Sequence, residues 1–396
     1  MNDERQAMAL GETKLSILRR RDGRRSSYAR SCLLAAALAA GVLTAGCGGG
    51  DDEPKAAATS TVSQAEVAGA TGQVRVAGWS EYKLQKVQDS DGVTAKWSYL
   101  AADEDVPRKA LSGDFDLVMS SNLTVQTLDA TGKAKPIDTS LIPNYASLPE
   151  QLRDAKQFQN SEGQTIAVPF VVVPLVTAWD SSAVPEPRTL DDLLTSEYKG
   201  RIALADSATN IQLVARGQGA DSSGPLTREQ LDNAMKYLEE LRPNIKTIVG
   251  HGEVTQLLNR DDIDVAFGTY PAVIDDAAEG NPKVRFNFLG ALSVFDSLSI
   301  VGPANEAASL KWINGMLSEP VQKAVVKATG APPVNAAAQS AYAALDSASS
   351  KELSKLSLDE LLEKSPPATG FAVKSEGDVV GLDEVVRTWN EYKASF

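Results

Sequence analysis

The sequence predicts an α/β protein of two lobes, each a mainly parallel sheet flanked by helices. Three observations carry this. Apolar, strand-like stretches alternate with amphipathic ones from Val74 onward, with short connections. About 350 residues follow the first 46, too many for one hydrophobic core. The hydrophobic fraction is 43 %, enough for sizeable cores and too high for a disordered chain.

Val74–Gly78 is a short apolar strand ending at Trp79, and Val93–Tyr99 alternates as a second strand. Asp103-Glu104-Asp105 opens a helix through Leu111, its acids suiting the positive helix end. Asp116–Met119 is a third strand, released into Ser120-Ser121-Asn122. Ile166–Val173 is strand-like, but Pro169 and Pro174 predict an irregular segment. Arg201–Ala205 is a strand ending at Asp206-Ser207. Thr227 and Gln230 form a capping-box pattern. Leu231, Ala234, Met235, Leu238 and Leu241 then share one helical face, and Pro243 stops the helix. Val254–Asn259 is a short helix, Asp264–Phe267 a strand, and Gly250-His251-Gly252 a turn. Asn305–Leu317 and Val321–Thr329 are helices separated at Pro320. The last helix, Asp383–Ala394, places Val385, Val386, Trp389 and Tyr392 on an apolar face.

Composition excludes several functions. The net charge is −13, and residues 1–46 carry +4 of it, which leaves −17 on the remainder. An acidic body is not a nucleic-acid binder. One histidine, His251, rules out any site needing two imidazoles. The cysteines, Cys32 and Cys47, both precede the body, so it has no disulfide framework and no thiol nucleophile. Asp261-Asp262 and Asp275-Asp276 lack the spacing of a calcium loop and read as solvated or helix-end acids. No metal and no cofactor are expected.

The first segment is an address. Arg19, Arg20, Arg21, Arg24, Arg25 and Arg30 precede an apolar run from Cys32 to Ala45. That run is too short to span a bilayer and suits a signal-peptide core. Leu43-Thr44-Ala45-Gly46-Cys47 resembles a bacterial lipobox, which implies cleavage after residue 46 and lipidation of Cys47. Residues 47–73 read as a flexible tether.

In open parallel sheets ligands sit beyond the C-terminal ends of the strands. That rule selects Trp79 to Tyr82, Ser120 to Asn122, Asp206 to Asn210, and Thr269 to Tyr270. Each has a structural reading beside the binding one. Trp79 and Tyr82 also suit a lobe core, and Glu81 a solvated surface. Asp296 suits a chain reversal, and Asp206, Ser207 and Asn210 suit a helix cap.

Several segments, in order from about Val74 to Phe396, resemble the spermidine/putrescine-binding proteins, receptors of ABC importers. Gly78-Trp79-Ser80-Glu81-Tyr82 is similar to that family's Asn-Trp-Thr-Glu-Tyr signature. Asp114–Ser121, Glu197-Tyr198-Lys199-Gly200, Leu241–Asn244, Val294–Ile300 and Lys311–Asn335 resemble further family segments. The resemblance implies a two-lobed periplasmic-binding-protein-like fold with a ligand cleft between lobes. It implies lobe 1 at 74–175 and 296–345, and lobe 2 at 176–295 and 346–396. It also implies an extracytoplasmic monomer that captures a polyamine or related cationic solute and docks on an ABC permease. A polyamine pocket needs aromatic faces and carboxylates. Trp79, Glu81, Tyr82 and Asp296 match the family's binding residues. Ser121, Asp206, Ser207, Asn210, Tyr270 and Phe295 stand at or beside its other binding positions, several of which carry acids or tryptophans in the family. A different polar solute, or a ligand sensor, fits the same fold. The rival reading is a serine hydrolase using Ser80-x-x-Lys83 or Ser196-x-x-Lys199, but the motifs that accompany Ser-x-x-Lys are absent.

Overall fold

The computed structural model describes residues 62–396 except 85–87, 101–104, 154, 222–223 and 303, and leaves out the side chains of Glu81 and His251. The expected signal segment, Cys47 and most of the tether lie outside the described residues. The tether's end does not: Gln64–Gly69 is a helix opened by a Ser63/Glu66 capping box, with Val67 buried. Lys311 Nζ donates to the carbonyls of Ala68 and Ala70, so these residues belong to the body and not to a tether. No helix among the described residues is long and apolar enough to cross a membrane.

The strands are β1 (Gly72–Gly78), β2 (Val93–Tyr99), β3 (Leu117–Ser121), β4 (Val168–Asp180), β5 (Ile202–Ala205), β6 (Ile245–Val249), β7 (Val265–Thr269) and β8 (Val284–Ile300). They form one sheet in the order β2-β1-β3-β8-β4-β7-β5-β6. At one end β1 pairs in parallel with β2 and β3, and at the other β5 pairs in parallel with β6 and β7. β3, β5 and β7 are buried along their whole length, as expected where helices cover both faces. Between the two parallel ends run β4 and β8, antiparallel to each other and to their outer neighbours. The sheet is therefore mixed, with the antiparallel pair as the bridge.

The segment with Pro169 and Pro174 is part of a 13-residue strand, not an irregular stretch. In the sheet the first half of β4 has β8 as its one strand neighbour, because β7 joins it at Val176, and Val171 adds a single bridge to Pro333. Pro169 also adjoins a register shift. At a sheet edge and beside a bulge, a missing N–H leaves no ladder bond broken.

The apolar residues segregate. One core gathers Val76, Leu117, Phe158, Phe295 and Trp312. A second gathers Ile202, Phe267, Leu238, Trp389 and Tyr392, and a third lines the β7 side. Leu353 and Leu361 belong to the first core, while Ala368 and Phe371 belong to the second. The chain thus passes from the first core to the second between residues 361 and 368. That crossing is bonded on both sides. Ser293 N donates to Pro366 O at 2.8 Å, Ala368 N to Ser293 O at 2.8 Å, and Asn122 Nδ2 to Ala368 O at 2.5 Å.

Other expectations shift by a residue or two. The Thr227 capping box opens the helix Arg228–Leu241. Tyr237 rather than Met235 completes its buried face, because Met235 lies off the centre of the apolar stripe. Gly250 caps a helix over His251–Asn259, so His251 begins a helix instead of sitting in a turn. Asp275 is not a solvated acid: it accepts from Ser349 N at 2.6 Å and Ser349 Oγ at 2.8 Å. Burial outweighs these bonds and raises its pKa above the usual carboxylate value.

Candidate functional site

The first group of candidates forms where β1 and β3 end. A Cβ on Gly78 would stand 2.5 Å from Met119 Sδ and 2.7 Å from the Trp97 ring. Only glycine lets β1 pack this closely on its neighbours. The chain then folds into a 3-10 turn, Ser80–Tyr82, which carries Tyr82 back under the strand end. Gln88, which sequence reasoning missed, fixes that turn. It is buried, accepts from Leu84 N at 3.0 Å and donates to Tyr82 O. No local pattern marks Gln88, because its partners are set by the turn.

Tyr82 is buried, with its ring edge-on to Phe170 at 4.9 Å. Its hydroxyl donates to Asp296 Oδ2 at 2.5 Å. Asp296 lies on β8, opposite Ser121 of β3 and Val171 of β4, and is half-buried. The half-buried Trp79 ring lies 6.4 Å from that of Tyr82, nearly perpendicular to it. A carboxylate, a hydroxyl aimed at it and two aromatic rings thus converge from residues 79, 82 and 296. The expected Glu81 stands in the same turn, its side chain outside the description. Ser121 is buried behind Asp296, and its carbonyl accepts from Thr124 N and Oγ1. Phe295 is fully buried against Phe158, with ring centroids 6.1 Å apart, so it serves the first core and offers no face to a ligand. Strand alternation puts it on the opposite side from Asp296.

The second group gathers where the parallel neighbours β5 and β7 end. Asp206 is tied to the last helix, Leu382–Lys393. It accepts from Trp389 Nε1 at 3.0 Å and from Lys393 Nζ at 2.7 and 2.9 Å. Burial pushes its pKa up, but the bonds and the charge of Lys393 outweigh that and hold it below the usual value. Its charge is already matched within the protein. Ser207 Oγ accepts from Thr209 N at 3.2 Å and donates to Thr209 Oγ1 at 3.0 Å, a turn at the start of the helix Thr209–Gly217. Asn210 donates to the carbonyls of Ala205 and Ser207 at 2.5 and 2.9 Å. Its Oδ1 is buried with no partner, as is Thr269 Oγ1. A Cβ on Gly268 would approach Asn210 Oδ1 to 2.7 Å, and Gly268 has φ +72°. A larger side chain could not stand there without displacing Asn210. Tyr270 is half-buried at the N-cap of the helix Pro271–Gly280.

Among the described residues no group of three His, Cys, Asp or Glu could hold a metal. Lys83 Nζ donates to Tyr99 Oη at 3.3 Å and stands 5.7 Å over that ring.

Residues 82–354 match the family model of bacterial extracellular solute-binding proteins. The spermidine/putrescine-binding periplasmic protein of Salmonella typhimurium is 24 % identical over 273 residues, 66 % of this chain and 77 % of that protein. The solved spermidine/putrescine ABC transporter substrate-binding protein of Streptococcus pneumoniae superposes with a TM-score of 0.63 at 20 % identity, covering 82 % of this chain and all of that one. A solved GABA receptor superposes with a TM-score of 0.60 at 16 % identity, covering 82 % of this chain and 98 % of that one. The solved structures share the two-lobed fold. With most of its length matched, the chain belongs to the bacterial extracellular solute-binding protein family.

Proposed function

We propose that this protein is the receptor of an ABC importer and that its solute is a small amine cation, of the polyamine kind or shorter. The observation that carries this is the Asp296 carboxylate, oriented by Tyr82 and flanked by Trp79. A carboxylate beside aromatic faces suits an ammonium group, through a charge-assisted bond and cation–π attraction. The second group supplies neutral polar atoms, because Asp206 is matched by Lys393. This favours a ligand with one ammonium on Asp296 and a neutral or weakly charged remainder. The name of the Salmonella relative, which gives spermidine and putrescine, supports the amine class. In our reading the mature protein is a monomer, anchored outside the cytoplasm by lipid on Cys47. The lobes close about β4 and β8, and the closed form docks on the permease.

Titration calorimetry of the purified protein with putrescine, spermidine, GABA and a neutral sugar tests the reading. A charge-assisted bond contributes about 1.5–3 kcal/mol, so Asp296→Asn should weaken amine binding by about 10- to 150-fold. An amine that binds equally well to Asp296→Asn, or a protein that binds only the neutral solute, would overturn it.

A further inference from the structure

The two bridging strands do not pair evenly. Leu175 pairs with Leu292 and Thr177 with Asn287, so the single residue Val176 faces residues 288–291 of β8. This bulge is held in place. Asn287 Oδ1 accepts from Leu289 N at 3.1 Å, and Thr177 Oγ1 donates to Leu289 O at 3.2 Å. Gly290 takes φ +67°, and a Cβ there would come within 2.8 Å of the Leu213 carbonyl oxygen. The bulge therefore rests directly on the helix Thr209–Gly217. Bulges of this kind re-aim a strand at functional places.

Over the bulge opens a groove of about 400 Å³, within the range of small-ligand pockets. Its charged lining is Arg188, Arg216, Lys364 and Glu186, a net +2 on a body that is otherwise acidic. Glu186 is already engaged: it accepts from Arg188 Nε at 3.2 Å and from Asn287 Nδ2 at 3.4 Å. Arg216 and Lys364 form no ion pair within 4.0 Å among the described residues. Lys364 Nζ stands 5.9 Å over the Phe288 ring, on the bulge itself. Both cations end helices, where the helix dipole offsets about half a unit charge each. Lys364 also acts on Glu360 one turn earlier and helps lower that acid's pKa, so Arg216 is the less matched of the two. Arg216 ends a helix packed in the second core, and Lys364 ends the helix Leu358–Lys364, whose Leu361 lies in the first. The groove thus takes one cation from each side of the bridge, with the bulged strand between them.

We propose that this groove is a second binding site, distinct from the amine site, for a small multivalent oxyanion of the phosphate or carboxylate class. The guanidinium fork and the ammonium group are the donors that such oxygens pair with. An anion held by both Arg216 and Lys364 ties the two sides of the bridge together, so its binding sets the separation of the lobes.

The test uses the full chain with no amine present, so its outcome is independent of the role given to Asp296. Inorganic phosphate and citrate are titrated calorimetrically at constant ionic strength, with chloride as the reference salt. Lobe separation is followed by the distance between two spin labels, one on each lobe. We expect saturable binding of phosphate or citrate, weakened about tenfold or more in Arg216→Gln/Lys364→Gln. Bound anion should narrow the distance distribution in the unsubstituted grooves only. Arg188→Gln, whose charge is already met by Glu186, should bind within about twofold of the parent. Absence of saturable binding beyond chloride would overturn the proposal. So would equal binding by the double variant, a loss in Arg188→Gln as large as in the double variant, or an unchanged distance distribution.

Discussion

At Gly78 one missing methyl group decides how closely β1 approaches its neighbours. Gly78→Ala places a carbon 2.5 Å from Met119 Sδ, and overpacking of this kind costs about 1–3 kcal/mol. Urea denaturation should show that loss, with amine affinity falling because Trp79 and Tyr82 follow directly. Asp116 is the counterpart on the far side of the strand ends. Its fully buried carboxylate accepts from Arg75 N at 2.8 Å, Nε at 3.1 Å and Nη2 at 2.9 Å. Desolvation works against the ionised form, but these bonds outweigh it and hold the pKa below the usual value. A depressed folded-state value means that the contribution is present above about pH 4 and is lost as the pH falls through it. Asp116→Asn leaves Arg75 without its partner and should cost about 2–4 kcal/mol at pH 7. Equal stability of variant and parent at pH 7 would show that the pair contributes nothing net. At the site itself, Tyr82→Phe removes the donor but keeps the charge on Asp296. It should therefore weaken amine binding less than Asp296→Asn does.

At the scale of elements, the last helix acts as a clamp. Leu382–Lys393 sends Trp389 and Lys393 to Asp206, and Glu384 to Arg228 at 2.7 and 2.9 Å. The bonds from Arg228 and then Ser375 lower the Glu384 pKa to about 2. The sign follows from linkage: the contribution is full above about pH 4.5 and disappears as the pH falls towards 2. Glu384→Gln should flatten the loss of stability across that window, measured by denaturant midpoints at successive pH values. An unchanged pH profile would mean that the Arg228–Glu384 pair contributes nothing to holding the helix. The capping box at Thr227 follows from sequence spacing and recurs as hydrogen bonds in the folded protein. Helix starts are legible because the cap and its partner are three residues apart. β4 is not legible in the same way. Its prolines read as breakers, and only the neighbour on each side shows that this half of the strand needs no N–H.

For the whole molecule, the bridge of β4 and β8 joins the first core to the second and third through one continuous sheet, and residues 365–371 are bonded across it again. A solute gripped from both sides stabilises the folded protein by mass action, about 2.7 kcal/mol at 100 times its dissociation constant. Thermal unfolding with putrescine or GABA should therefore rise with concentration, and less so in high salt if a charge on Asp296 carries the affinity. A shift insensitive to salt would point to a neutral solute.

By itself the sequence determined the α/β class, the approximate bounds of several helices and the strand end that leads to Trp79 and Tyr82. Each depends on residues close along the chain: a hydrophobic period, a cap three residues away, a strand followed by small polar residues. Only the tertiary structure decided which candidates retain open chemistry. Asp206 and Lys393 lie far apart in sequence, and their pairing removes an acid that composition alone would assign to a ligand. Phe295 and Asp296 are adjacent, yet strand alternation sends one into the core and the other to Tyr82. The basic groove on the β8 bulge likewise draws on residues 186 to 364, which no local pattern connects. Charge and burial at a site are set by what arrives from elsewhere in the chain, and that is fixed by packing.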